Sequence, residues 1–126
     1  MNALLFALGV ALLPAPPDRM VGSVWLRKVA DGCVDRLTFR AKYKVVEYGC
    51  EQQYASQGTY ALRQSTLTLL VRDDSHAEDG GQPILYRTTY RLTGSRTLHL
   101  LRLEEFINRS WRNVPQERRT VFTRAR

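Results

Sequence analysis

The chain has 126 residues, a formal net charge of +7 and an ordinary balance of apolar and charged side chains. That length supports one domain with a single core and no need of metal support, and the composition excludes a disordered chain. Low-complexity stretches and repeats longer than a hairpin are also absent.

In chain order, the first element is the apolar run Asn2–Ala15 (NALLFALGVALLPA). At about fourteen residues it is short for a bilayer span and suits the apolar region of a signal peptide. No Lys or Arg precedes it and Pro16-Pro17 follows. Two readings stand: residues 1–17 are a signal peptide, and the protein is exported to the periplasm or secreted, or they form an apolar strand or helix plugging the fold. Residues 18–126 then make the domain.

Short alternating segments follow, separated by turns: Val21–Arg27, Asp35–Arg40, Tyr43–Tyr48, Gly58–Arg63, Thr66–Arg72, Leu85–Leu92, Thr97–Leu103 and Thr120–Arg124. Eight such segments predict an all-β fold, one small antiparallel barrel or sandwich. A hairpin turning around Arg40–Lys42 brings Cys33 within one residue of Cys50 across two strands, compatible with a disulfide. Such a bridge and an export signal support each other.

A two-residue turn at Gln64-Ser65 sets Leu62 opposite Leu67, Tyr60 opposite Leu69 and Gly58 opposite Val71 on one face. The segment Asp73–Pro83 holds four acids and no Lys or Arg, and Gly80-Gly81 and Pro83 make it an exposed loop. A turn at Gly94-Ser95-Arg96 sets Leu92 opposite Leu98 and Tyr90 opposite Leu100. Simple alternation then carries Thr88 towards Arg102 and Tyr86 towards Glu104. Leu98, Leu100, Leu101 and Leu103 occupy both faces of their strand, so a cover is expected from Glu104–Arg118 through Phe106, Ile107 and Trp111, as a short helix or long loop.

These residues resemble the small lipocalin-like proteins of bacteria, within the calycin group. The resemblance runs from about Gly22 to Arg124. It is carried by Gly22-Ser23-Val24-Trp25, Cys33-x-Asp35-x-Leu37-x-Phe39, Tyr43, Cys50, Gly58-Thr59-Tyr60, Leu67-x-Leu69, and the Tyr90-Arg91-Leu92…Thr97-Leu98-x-Leu100 hairpin. It implies an eight-stranded antiparallel up-and-down barrel, with Trp25 at the closed end beneath an Arg for which Arg124 is the candidate. In this sequence one extra residue stands between the glycine and the tryptophan of the family's Gly-x-Trp pattern.

Motifs for catalysis or for a nucleotide are missing: there is no GxSxG, HExxH, P-loop or dinucleotide fingerprint. His76 and His99 have no ligand-spaced partners, and Glu104-Glu105 point to opposite faces of a strand. The chain is therefore read as non-enzymatic, without cofactor or metal. The tail from Arg109 to Arg126 holds six arginines against Glu117. It suits either an anionic partner, such as an envelope polymer or protein, or a plain solvated surface. Aromatics do not interleave with the arginines, so no specific nucleic-acid partner is expected.

A barrel interior remains as the candidate site. Phe39, Tyr60, Leu69, Tyr86, Thr88, Tyr90, Leu100 and Arg102 are the expected lining for a small hydrophobic or amphiphilic molecule, with Arg102 favouring a carboxylate or phosphate head. The alternative is a barrel filled by its tyrosines, serving as a structural or interaction protein with a basic outer surface. An eight-stranded barrel is just wide enough for either.

Overall fold

The computed structural model describes residues 18–51, 54–74, 80–116 and 120–126. The signal-peptide reading of residues 1–17 and His76 of the acidic loop lie outside the described residues.

Nine strands and no helix occur among the described residues: β1 Val24–Ala30, β2 Cys33–Arg40, β3 Lys44–Gly49, β4 Tyr54–Arg63, β5 Thr66–Asp73, β6 Ile84–Thr93, β7 Thr97–Ile107, β8 Ser110–Asn113 and β9 Val121–Arg124. Each strand pairs antiparallel with its predecessor from β1 to β8, and β9 joins β7 to β1. The ring β1-β2-β3-β4-β5-β6-β7-β9 is a closed eight-stranded up-and-down barrel, so of the barrel and sandwich that the alternation allowed the chain forms the barrel. β5 shows why these residues choose strand: Leu67, Leu69 and Val71 are buried while Thr66, Leu70 and Arg72 are exposed. That period of two serves a sheet with one face on a core.

Both expected hairpin registers are present, with Leu62 opposite Leu67, Tyr60 opposite Leu69 and Leu92 opposite Leu98. At Gly58 the β4 and β5 backbones pinch together. A Cβ there would collide with the Leu70 carbonyl oxygen and stand 2.9 Å from the Val71 Cα.

Two features differ from the expectation. First, the β6–β7 ladder carries a bulge, so Tyr90 faces Leu100 and Thr89 faces Arg102, with Leu101 left over between them. One extra residue reverses the alternation. Leu98, Leu100 and Leu103 thereby share the inner face, and Leu101, 50% exposed, needs no cover. Second, the stretch after Leu103 is neither helix nor loop at its start. β7 runs on to Ile107 and turns at Asn108-Arg109, whose φ angles of 52° and 64° suit a tight hairpin turn. β8 then returns along it, setting Trp111 opposite Phe106 on the outer surface with rings 5.2 Å apart.

β8 and β9 serve successive parts of the same β7 edge. β9 pairs at Thr97–His99 and β8 at Glu104–Ile107, and Leu100 and Leu103 bond to Thr120 and Val114 in between. Trp25 and Leu26 of β1 pair with β9.

Candidate functional site

One end of the barrel is solid. The segment 18–23 lies there, with Arg19 donating to the Gln64 carbonyl of the β4–β5 turn and the Gly22 amide donating to the Phe39 carbonyl. Trp25 is wholly buried, and its indole Nε1 donates to Ser23 Oγ at 2.8 Å, which in turn donates to the Met20 carbonyl. The Arg124 guanidinium lies 5.8 Å from the centre of the Trp25 ring, the stacking expected of this pair. Phe39 meets Tyr60 edge-on at 4.9 Å, and the Tyr60 hydroxyl donates to Asp18 at 2.5 Å. Burial, reinforced by that bond, pushes the phenol upward, so Tyr60 stays a donor. Phe39, Tyr60 and Leu69 thus pack in the core, and none of them lines the space at the other end.

The opposite half is hollow. Two adjoining cavities of about 380 and 300 Å³ share Glu47, Gly49, Thr88 and Leu103 as walls. The larger is bounded by Arg27 and Val29 of β1, Asp35 of β2, and Tyr90, Leu100 and Phe122. Gln116 and Thr120 of the β8–β9 connection complete it. The smaller adds Ser56, Val71, Asp73, Tyr86, Glu105 and Val114. Cys33 and Cys50 are bridged at the rim of this half, their Cα atoms 5.4 Å apart. The Cys50 amide also donates to Asp35 Oδ1 at 3.1 Å, tying the bridge to the cavity wall.

The electrostatics of this hollow oppose those of the whole chain. Among the described residues, Asp35, Glu47, Asp73 and Glu105, with the exposed Glu51 beside the bridge, border this space against Arg27, which stands 3.7 Å from Asp35. Glu47 makes no hydrogen bond or ion pair with another described residue. Burial, then repulsion from Asp35 and Asp73, pushes its carboxyl up to about 7. Tyr90 is also pushed upward, by burial first and by Glu47 second.

Of the expected lining, Thr88, Tyr90 and Leu100 face the larger cavity, and Tyr86 and Thr88 the smaller. The tyrosines border the space without closing it. Arg102 is not among the walls. The bulge turns it outward, 3.1 Å from Glu104, which also takes a bidentate pair of bonds from Arg87 at 2.9 and 3.0 Å. Leu103 takes the inward place opposite Thr88 where Arg102 was expected, and Glu105 takes the place opposite Tyr86 where Glu104 was expected. Three of these acids share the parity of core residues, Asp35 with Leu37 and Phe39, Glu47 with Val45 and Asp73 with Val71, whereas Glu105 turns inward only through the bulge. Among the described residues no three His, Cys, Asp or Glu side chains cluster closely enough to hold a metal ion.

An up-and-down barrel, solid at one end and hollow at the other, is consistent with a calycin-like fold and compatible with binding a small molecule inside. Comparison with protein families, with curated proteins and with solved structures finds no match to this chain.

Proposed function

We propose that the protein is an exported, lipocalin-like, non-enzymatic binding protein that takes one small amphiphilic molecule into the open half of its barrel. The observation that carries this reading is the pair of adjoining cavities of about 380 and 300 Å³, within the size range of small-molecule sites. Their walls mix apolar groups (Val29, Leu100, Leu103, Phe122) with carboxylates and hydroxyls, which suits a ligand with an apolar body and a polar end. The Cys33–Cys50 bridge supports an oxidising compartment. Native mass spectrometry of protein purified from its own host tests the reading. A retained small molecule is the expected result. A bare chain that also takes up no amphiphile added afterwards overturns it.

A further inference from the structure

Resting on the binding reading above, we infer that the open half of the barrel selects an organic cation, an ammonium group on an apolar tail, with Glu47 as its counter-ion and Glu105 and Asp73 beside it.

Three observations converge. Among the described residues the smaller cavity is lined by three carboxylates and by no Lys or Arg, in a chain whose net charge is +7. Glu47, a half-buried wall of both cavities, makes no ion pair or hydrogen bond with another described residue. A carboxylate partly withdrawn from water without a partner carries a desolvation cost, and a cation entering beside it relieves that cost. The carboxylates are too dispersed to converge on a metal ion among the described residues, yet they border about 300 Å³. A space of that size fits an organic group rather than a bare ion, and Val71, Leu103 and Val114 offer its tail an apolar wall.

Among the described residues, the groups bordering the space at Glu47 are Arg27 from β1, Asp35 from β2, Glu51 just after β3, Asp73 from β5, Tyr86 and Tyr90 from β6, and Glu105 from β7. Arg27 is engaged with Asp35, so the net field at Glu47 is negative. A cation therefore competes with a proton for Glu47.

The test is calorimetric titration of the disulfide-intact protein at pH 8 with three probes sharing one tail: octylammonium, 1-octanol and octanoate. Octylammonium is expected to bind at least tenfold more tightly than 1-octanol, and octanoate most weakly. That order runs against the net charge, which would draw octanoate to the surface. Glu47→Gln is expected to narrow the octylammonium–octanol gap about tenfold, and Glu105→Gln to narrow it less. Asp31→Asn, in the exposed β1–β2 turn, leaves it in place. Near-UV circular dichroism checks that each variant is folded, and Glu105→Gln serves if Glu47→Gln is not. Octanol or octanoate binding as tightly as octylammonium overturns the cation preference while the binding reading stands. Absence of binding by all three overturns both.

Discussion

Arg27 and Asp35 face each other directly across β1 and β2, the guanidinium 3.7 Å from the carboxylate, and this pairing engages the one cation that, among the described residues, borders the hollow half. Glu47, diagonal to Asp35 on the next strand, is left without a counter-charge. Its position has a consequence for stability that can be measured without a ligand.

The Glu47 carboxyl stands at about 7 in the fold against 4.5 for an ordinary glutamate, so between those values the folded state holds a proton that the unfolded chain has lost. Stability from this group is full below about pH 4.5 and is lost as pH rises through 7, by at most about 3 kcal/mol. Glu47→Gln is therefore expected to stabilise the protein by about 1–3 kcal/mol at pH 8 and to have little effect at pH 4.5. Glu104 acts in the opposite sense. The Arg87 bonds lower its carboxyl, so its contribution is present above 4.5 and fades as pH falls further. Urea unfolding across pH 4–8 separates the two. A Glu47→Gln curve parallel to that of the parent chain would show that the carboxyl is already ionised in the fold.

The Cys33–Cys50 bridge spans a sequence separation of 17 residues at the cavity rim. Loop-closure entropy assigns such a bridge about 3 kcal/mol. For a domain of this size that corresponds to a fall in Tm on the order of 10 °C or more on reduction. Because the Cys50 amide holds Asp35, reduction is also expected to weaken octylammonium binding. Thermal melts and titrations with and without a thiol reductant check both effects. An unchanged Tm would mean that the rim is held by the strand ladders alone.

Gly58 is required by space. The collision of any Cβ with the Leu70 carbonyl oxygen and Val71 involves backbone, which cannot rotate aside, so β4 and β5 must separate. Gly58→Ala is expected to cost about 1–3 kcal/mol, the usual penalty of overpacking. Ala55, exposed on the same strand, supplies the contrast, since Ala55→Ser there should cost little. Equal denaturation midpoints for the two variants would contradict the pinch.

Most of the barrel was legible because its strands are half-buried, and half-burial writes itself as alternation. The Gln64-Ser65 and Gly94-Ser95-Arg96 turns then set two registers, and Trp25 and Arg124 anchored the closed end. Two things left no such trace. A bulge is one residue added to a ladder, and Leu101 looks like its neighbours, so nothing in composition marks it. β8 is four residues long and separated from β9 by Pro115, so the break hid a strand that belongs to the β7 hairpin. The inward acids were hidden differently: a charged residue in an alternating segment is ordinarily assigned to solvent. In a barrel with an unfilled end, parity outweighs polarity.

The reversal at Leu101 makes the sharpest test of where the cavity lies. Without the bulge, Arg102 would be a wall and Leu103 would face solvent. With it, Leu103 borders both cavities and Arg102 pairs with Glu104 on the outer surface. Leu103→Trp places a larger side chain where the two spaces join, and it is expected to lower octylammonium affinity at least tenfold. Arg102→Gln removes a guanidinium from the outside and should change affinity less than twofold. Loss of binding in Arg102→Gln with retention in Leu103→Trp would reverse the assignment of the two faces. Near-UV circular dichroism distinguishes a filled cavity from a disrupted fold. Trp25 and Trp111 report there from the closed end and the outer surface, so a local change at residue 103 leaves their bands in place.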